Sequence, residues 1–354
     1  MGPVTGSAER RLRIAQVAPV GTAVRPGVGE SVEQLVSLLS EELVRRGHEV
    51  TMFATGDSIT SAELRSVYDR GYLHDEALWW DWQFSESMHV SAAYAEADAF
   101  DVIHCHSYPH ALPLTPFVRT PNVQSYHVEM SPVVVSAFRR FEDVHLVVPS
   151  RFQARHFDGR PNVTLIPHGI DTSALPYGDG SGGYLLFLGR MIRDKGPARA
   201  VAIARAAGMP LVLAGPAEEH FDDEVAPLID GEQVTYVGRV DPPERDGLLA
   251  DAAALVYPLL HPEPFGLVVI EAMACGTPVV APRIGAVPEL VQPGVGGYLG
   301  DSPDRLAELI PRALELDREQ VRASAVDRFD FRRMVDDHEN LYIRLAANVA
   351  TARP

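Results

Sequence analysis

The chain has 354 residues, 46% hydrophobic and 22% charged, which is typical of a globular protein with room for two domains. Its formal net charge of −17 disfavours nucleic acid and anionic membranes as partners. The polar start of the chain lacks the apolar stretch of a signal peptide, and no apolar run of about 18 residues follows. Cys105 and Cys275 lie in apolar segments and are interpreted as buried thiols, with a disulfide as the alternative. We therefore expect a cytoplasmic protein that neither spans nor associates with a membrane.

Strand and helix patterns alternate along the chain, which predicts parallel sheets in an α/β fold. A strand over 13–19 precedes an amphipathic helix over 30–46, which ends at Gly47. Further strands of this first series are predicted over 49–54, 101–106, 122–127 and 145–149. A second series is predicted over 184–189, 210–214, 234–237, 253–258 and 277–281, and an amphipathic helix over 331–347 closes the chain.

A glycine-rich segment over 176–183 separates the two series and places the domain boundary near residues 168–183. The predicted domains are 1–170 and 171–330, followed by a C-terminal helix and tail over 331–354. Two doubly wound domains in series predict a ligand cleft at the carboxyl ends of the strands.

The segment 261–281 carries the most specific chemical signal. Glu263 and Glu271 lie eight positions apart, and a Pro-Phe-Gly turn and the apolar start of a helix lie between them. The first N–H groups of such a helix attract a phosphate, and carboxylates suit sugar hydroxyls. Gly276 and Pro278 then end the helix before the next strand. The pattern indicates a nucleotide-sugar site.

A second signal lies in the loop after the first strand of the second series. Lys195 is the single lysine among the 31 basic residues, and Arg190 precedes it by five positions. An arginine and a lysine in a strand-to-helix loop can hold a diphosphate, although a solvated loop with incidental charges is the alternative. The chain contains no Asp-x-Asp sequence, a pattern that could hold a divalent metal ion. We therefore expect these cations and helix N-termini, and no metal or other cofactor, to neutralise the diphosphate.

In the segments 189–196, 261–281 and 285–290, the chain resembles the retaining glycosyltransferases of the GT4 family. Weaker similarity at 101–106, 167–171 and 339–342 extends the resemblance over residues 14–345. It implies the GT-B fold, in which two Rossmann-like α/β domains face a central cleft and the C-terminal helix crosses back to the N-terminal domain.

The resemblance also implies roles for individual residues. Arg190 and Lys195 hold the diphosphate, Glu271 binds the ribose hydroxyls and Glu263 the hydroxyls of the transferred sugar. His127 contacts the donor sugar near the reacting carbon, so the catalytic set is His127, Arg190, Lys195 and Glu263. The other donor contacts are main-chain groups or pocket walls: Gly189, Gly238, Val240, Phe265, Gly266 and Leu267. The alternatives are a surface role for the two glutamates and a core role for His127.

The first loop departs from the family. Relatives carry an adjacent glycine pair before the first helix, where this chain has Glu30-Ser31. Gly27 and Gly29 remain in the loop and are predicted to contact the donor. Their spacing does not fit a dinucleotide fingerprint, since no third glycine follows at the required distance.

The acceptor side is predicted from Trp79, Trp80 and Trp82, the only tryptophans of the chain, and from His106. Between residues 69 and 101 there are eight acidic residues and one basic residue. Aromatic faces among carboxylates suit a polyhydroxylated or amine-bearing acceptor, and an aromatic cluster that packs a loop is the alternative. His106, with its neighbours at 104 and 110, lacks a thiolate or carboxylate that would complete a metal site.

We therefore expect a retaining, metal-independent glycosyltransferase that moves a hexose from a UDP- or GDP-sugar to a small soluble acceptor, with natural-product biosynthesis as the setting. The resemblance supplies no carboxylate at the reacting carbon for a double displacement, which favours attack from the leaving-group face. The alternatives are a transferase for a cell-surface glycan or glycolipid, a nucleotide-sugar epimerase of the same architecture and a non-catalytic binding protein. Donor epimerised in the absence of acceptor would identify the epimerase, and donor hydrolysis would exclude the binding protein. The nucleobase, the sugar and the oligomeric state stay open.

Overall fold

The computed structural model describes residues 11–27 and 31–351 of the chain. The chain divides into two compact units, each of which contains one parallel sheet. The first unit comprises the chain up to Val148, Phe157–Ile166 and the chain from Met334 onward. The second comprises Pro149–His156 and Pro167–Arg333. The prediction of two Rossmann-like α/β domains is thus confirmed, whereas Gly29 and Glu30 of the predicted donor loop lie outside the described residues.

The first sheet has seven parallel strands: β1 (Arg13–Val17), β2 (Glu49–Phe53), β3 (Glu63–Arg65), β4 (Val102–Cys105), β5 (Asn122–Ser125), β6 (His145–Val148) and β7 (Val163–Leu165). Their order is β3-β2-β1-β4-β5-β6-β7. The five central strands were predicted because strands covered on both faces are nearly continuous apolar runs. The edge strands β3 and β7 are three residues long and not fully buried, so they lack that signal.

The second sheet has six parallel strands: β8 (Leu185–Leu188), β9 (Leu211–Ala214), β10 (Val234–Tyr236), β11 (Ala254–Val256), β12 (Val279–Pro282) and β13 (Gly297–Gly300). Their order is β10-β9-β8-β11-β12-β13. The chain changes direction across the sheet between β8 and β11, which is the switch point where α/β sheets bind ligands. The edge strand β13 was not predicted, because two glycines in its Gly-Tyr-Leu-Gly sequence disfavour a strand.

The α-helices are α1 (Ser31–Arg45), α2 (Glu76–Trp79), α3 (Trp82–Ala95), α4 (Pro132–Arg140), α5 (Arg151–Ala154), α6 (Pro197–Ala207), α7 (Glu244–Asp251), α8 (Leu267–Ala274), α9 (Val287–Leu290), α10 (Pro303–Leu314), α11 (Arg318–Phe329) and α12 (Phe331–Thr351). Short 3₁₀ segments lie at Tyr72–His74, Ala97–Ala99, Tyr108–Phe117, Arg155–Phe157, Arg193–Lys195 and Ala226–Leu228, and one π-helical turn lies at Phe221–Val225. None of the helices in the described part of the chain is long and apolar enough to cross a bilayer.

The C-terminal helix α12 is bound by charged and polar groups to the turn between α1 and β2. Glu339 accepts a hydrogen bond from Nη1 of Arg46 at 2.5 Å, and its other oxygen lies 2.8 Å from Nε2 of His48. Arg46 also pairs with the buried Glu42 of α1 at 3.0 Å. Further along α12, the side chain of Tyr342 is fully buried. The prediction that the C-terminal helix returns to the N-terminal domain is confirmed.

Both cysteines are buried free thiols, as predicted. Cys105 belongs to the first unit and Cys275 to the second. Burial raises the pKa of each thiol to about 12, so neither is a reactive thiolate at neutral pH.

We predict that Glu42→Gln lowers the free energy of unfolding of the first unit by about 1–3 kcal/mol at neutral pH, because the charged acceptor of two arginines is lost. Hydrogen bonds from Arg45, and then from Arg46, lower the pKa of Glu42 from 4.5 to about 2. A lowered folded-state pKa stabilises the fold above pH 4.5, and this stabilisation is lost as the pH falls through about 2.

Urea titration followed by tryptophan fluorescence measures this change, since Trp79, Trp80 and Trp82 all lie in the first unit. Glu63→Gln is the control, because Glu63 pairs with Arg65 on the exposed surface of the same unit. Equal losses in the two variants would contradict the prediction, as would a wild-type advantage that does not shrink below pH 4.5.

Candidate active site

The loop that carries Lys195 packs directly on the main chain that follows β11. Gly196 has a φ of +76°, and a Cβ atom there would lie 2.4 Å from the carbonyl oxygen of Pro258. The main-chain N–H of Leu260 donates a hydrogen bond to the oxygen of Asp194 at 2.9 Å. Only glycine permits this approach, which brings Lys195 next to the segment that contains Glu263.

Lys195 and Glu263, which are 68 positions apart in sequence, form an ion pair. Nζ of Lys195 donates a hydrogen bond to Oε1 of Glu263, and the Tyr257 hydroxyl donates one to Oε2 at 2.5 Å. The side chains of Lys195 and Glu263 retain 22% and 21% of their exposure, so both are accessible to a ligand. Burial, reinforced by the charge of Glu263, raises the pKa of Tyr257 well above its usual value and keeps it a donor.

The main chain of Glu263 is also fixed by close contacts. Gly285 has a φ of +58°, and a Cβ atom there would lie 2.6 Å from both the nitrogen and the oxygen of Glu263. The N–H of Ala286 donates to the Glu263 oxygen at 3.0 Å. The segment 285–290 therefore fixes the position of Glu263.

The turn after Glu263 leads into α8 as predicted. Gly266 has a φ of +131° and precedes Leu267, the first residue of the helix. The Phe265 ring packs against His168 and Phe329, with ring centroids 4.9 and 6.0 Å away. Only the main chain of Phe265 is thus left for a ligand, together with the N–H groups that have no partner within α8. This helix start can bind an anion.

Glu271 lies one turn inside α8, not two turns as the sequence suggested, because the helix begins only at Leu267. Its side chain is 14% exposed and lies 3.6 Å from Nη1 of Arg245, which also pairs with Asp246 at 2.7 Å. Burial raises the pKa of Glu271, and the charge of Arg245 opposes that rise. Sequence reasoning missed Arg245, since nothing in its local sequence separates it from the other arginines.

Three glycines follow neighbouring strands of the second sheet. Gly189, Gly215 and Gly238 come after β8, β9 and β10. A Cβ atom on Gly215, whose φ is +137°, would lie 1.9 Å from the Gly189 oxygen, and the Gly215 N–H donates to the Gly238 oxygen at 2.7 Å. Sequence reasoning missed Gly215. Val240 is buried beyond this row, and its role in a nucleobase pocket stays a prediction.

Arg190 and Lys195 do not share a partner in the structure. Nη1 of Arg190 lies 3.5 Å from Glu218, and the Arg190 side chain is 57% exposed. Lys195 contacts Glu263 instead. A joint contact of the two cations with one diphosphate remains a prediction.

In the first unit, His106 and His127 contact each other. Nδ1 of His106 lies 3.1 Å from Nε2 of His127, and the rings are stacked with centroids 5.3 Å apart. Burial lowers the pKa of His127 to about 3, which keeps this imidazole neutral. The ring nitrogens of His106 and His104 face polar protein groups, and no group of three metal-binding side chains occurs within the described ranges.

The tryptophans of the predicted acceptor side differ in environment. Trp82 packs against Tyr72 and Tyr108, with ring centroids 5.8 and 5.7 Å away, whereas Trp79 and Trp80 are 47% and 77% exposed. This arrangement fits the loop-packing alternative for Trp82, and an acceptor role for the three residues stays a prediction. Gly27 has a φ of +70° and open space where a Cβ atom would lie.

Comparison with known proteins gives one consistent result. Residues 179–327 match the model of the family described as glycosyl transferases group 1, and residues 32–174 match that of Glycosyltransferase Family 4. The chain is 29% identical to a D-inositol 3-phosphate glycosyltransferase of Frankia alni over 86% of its own length and 91% of that protein.

Two solved structures share the architecture. AviGT4, a glycosyltransferase involved in avilamycin A biosynthesis, is 28% identical with a TM-score of 0.73, over 95% of this chain and 98% of that chain. Anabaena HepE, solved in complex with UDP-glucose, is 19% identical with a TM-score of 0.67, over 96% of this chain and 100% of that chain. At that identity the likeness to HepE concerns the fold alone.

We predict that Arg245→Met lowers the free energy of unfolding of the second unit by about 3 kcal/mol, because it leaves the largely buried carboxylate of Glu271 without its cation. Arg245 opposes the rise in the pKa of Glu271, so its removal raises this pKa further. A raised folded-state pKa destabilises the fold as the pH rises through it, so the loss should grow as the pH rises from the wild-type pKa of Glu271 to the higher pKa of the variant, and stay constant above that pKa.

Scanning calorimetry across pH measures this loss. The double variant Arg245→Met with Glu271→Gln should recover part of it, because no buried charge remains. Arg283→Met is the control, since Arg283 lies on the exposed surface 3.8 Å from Asp301. A loss that the second substitution does not reduce would contradict the prediction.

Proposed function

Because this chain belongs to the GT4-type glycosyltransferases and has the GT-B fold, we propose that it moves a hexose from a UDP- or GDP-sugar to a small soluble acceptor, with retention and without a metal ion. The observation that carries the proposal is the contact of Lys195 with Glu263, eight residues before the largely buried Glu271. It supports a site in which Lys195 serves the diphosphate, Glu263 the transferred sugar and Glu271 the nucleotide.

Different groups of this site bind different parts of the donor. The N–H groups at the start of α8 suit the diphosphate, because a helix N-terminus carries partial positive charge. Glu271, held one turn further along by Arg245, accepts hydrogen bonds from both ribose hydroxyls. Glu263 accepts from hydroxyls of the transferred sugar, and the family resemblance implies a contact of His127 with the donor sugar.

Transfer breaks the bond between the anomeric carbon and the diphosphate oxygen and forms a glycosidic bond on the same face. The leaving oxygen takes the proton of the acceptor hydroxyl. Lys195 stabilises the negative charge that develops on the diphosphate. In other transferases a divalent cation provides this stabilisation. Comparison of the anomeric configuration of donor and product tests retention.

A soluble acceptor is supported by two observations. The net charge of −17 opposes an anionic membrane surface. The Frankia alni relative is named for D-inositol 3-phosphate, a small polar compound. The involvement of AviGT4 in avilamycin A biosynthesis supports the natural-product setting. The family also favours a transferase over an epimerase, and incubation of the donor without acceptor tests that choice.

We predict that Glu271→Gln weakens the binding of UDP or GDP about ten- to a hundredfold, because charge-assisted hydrogen bonds contribute roughly 1.5–3 kcal/mol. Glu263→Gln should bind the bare nucleotide no more weakly than wild type, since the nucleotide lacks the hexose that Glu263 would hold and Lys195 is released from its ion pair. Calorimetry with both nucleotides on both variants measures this difference. Equal weakening in the two variants would contradict the separate roles and with them the proposed donor site.

We predict that exhaustive chelation leaves the transfer rate within about twofold, because Lys195 and the start of α8 supply the positive charge. The rate is measured before and after treatment with EDTA, and the same EDTA with excess magnesium serves as the control. Loss of activity that magnesium or manganese restores would show that transfer depends on a divalent ion.

A further inference from the structure

Glu86 of α3 is a carboxylate without exposed surface, and three separate segments of the first unit donate hydrogen bonds to it. The main-chain N–H of Val20 donates to Oε1 at 3.0 Å, and the Ser107 hydroxyl donates to Oε2 at 2.5 Å. The Tyr72 hydroxyl is the third donor. Val20 follows β1 and Ser107 follows β4, so the loops at the carboxyl ends of two neighbouring strands are tied to one buried group.

These two strands form the switch point of the first sheet. From β1 the sheet continues through β2 and β3 on one side, and from β4 it continues through β5, β6 and β7 on the other. α/β folds bind ligands outside the carboxyl ends of the strands at such a point. Glu86 therefore holds the loops that would surround a ligand of this unit, and the proposed transfer reaction gives it no part.

The position of Tyr72 is fixed by main-chain packing on the loop after β1. A Cβ atom on Gly71 would lie 2.1 Å from the carbonyl oxygen of Gly21, so the two main chains touch without room for a side chain. The N–H of Tyr72 also donates to the oxygen of Val20 at 3.0 Å. The loop after β1 and the Tyr72 segment therefore form one packed pair.

The Tyr72 ring connects Glu86 to the tryptophans. Its centroid lies 6.2 Å from that of Trp79 and 5.8 Å from that of Trp82. A change in the hydrogen bonds of Glu86 can therefore alter the surroundings of both indole rings through a single side chain.

The protonation state of Glu86 determines how its partners can bind it. Burial raises the pKa of Glu86 from 4.5 to about 7, and the three donors oppose this rise. The ionised carboxylate accepts from all three. The protonated carboxyl must donate one hydrogen bond itself, and the Val20 N–H cannot accept it. Among the three partners, only the hydroxyl oxygens of Ser107 and Tyr72 can accept, and the hydroxyl that does so must turn its own proton elsewhere.

Titratable groups from several elements surround Glu86 and Tyr72: Tyr108 of the 3₁₀ segment Tyr108–Phe117, Cys105 of β4, Glu33 of α1 and His89 of α3. Burial raises the pKa of both tyrosines and that of Cys105, and it lowers the pKa of His89 to about 4. These four groups are therefore uncharged near pH 7. The charges of Glu86 and Glu33 raise the pKa of the two tyrosines further.

We propose that Glu86 is a positioning residue that acts as a proton switch in the first unit. When ionised, it holds the loops after β1 and β4 and the Tyr72 hydroxyl in one arrangement. When protonated, it releases this arrangement, because one hydroxyl partner must reverse its hydrogen bond. The functional consequence rests on the proposed function, in which the tryptophans belong to the acceptor side: recognition of the acceptor then depends on pH near neutrality, whereas the nucleotide groups of the second unit do not include this switch.

Tryptophan fluorescence of the full chain, recorded from about pH 5.5 to about pH 8.5, tests the switch, because all three tryptophans lie within residues 79–82. Glu86→Gln keeps the shape of the side chain and cannot ionise. Tyr72→Phe keeps the ring and removes one donor. Glu76→Gln is the matched control, since Glu76 is an exposed carboxylate of α2. His110→Gln is a second control, since that imidazole packs 6.4 Å from the Trp82 ring.

We expect one fluorescence transition with a midpoint near pH 7 in the wild type and in both control variants, and its loss in Glu86→Gln. In Tyr72→Phe the midpoint should rise by about one pH unit, because a donor that stabilises the ionised form is lost. If Glu86→Gln does not fold, this upward shift decides alone.

A wild-type signal that is constant between about pH 6 and 8 would overturn the proposal. The same transition in a folded Glu86→Gln, or an unshifted midpoint in Tyr72→Phe, would also overturn it. The titration needs no nucleotide, sugar or acceptor. Its result is therefore independent of the calorimetry with UDP and GDP, where failure of the proposed function would appear.

Discussion

The ion pair between Lys195 and Glu263 depends on two places where main chains touch without room for a side chain. Gly196 packs on the carbonyl of Pro258, and Gly285 packs on the main chain of Glu263. Each contact positions one charged residue to within the reach of a hydrogen bond. A larger residue at either glycine would separate the charges, so the geometry of the proposed donor site is set by main-chain packing before any side chain contributes.

The two carboxylates of the site have different surroundings, which suits two different tasks. Glu263 keeps a fifth of its exposure and is held by Lys195 and Tyr257. Glu271 is more deeply buried, and Arg245 is the cation that opposes the rise in its pKa. A largely buried carboxylate held beside one cation would be a rigid acceptor for a ribose, whereas a more accessible one could exchange its cation for a sugar hydroxyl.

In the first unit, the last helix of the chain packs among buried polar groups from β1, β4 and β5. The helix α12 is bound through Glu339 to Arg46 in the turn after α1, and it inserts Tyr342 among buried polar groups. Those groups would be costly to bury if any of them lacked a partner. The requirement that every donor finds an acceptor links the last helix to these strands.

The sequence by itself determined the α/β class, the central strands of both sheets and the helix that starts after Gly266, because these depend on local apolar patterns and on turn residues. It also identified Lys195, Glu263 and Glu271, which lie in recognisable motifs. Only the tertiary structure paired Lys195 with Glu263, placed Arg245 beside Glu271 and joined Tyr342 to His104. Such partners are single residues far apart in the chain, and neither spacing nor composition records which of them folding brings together.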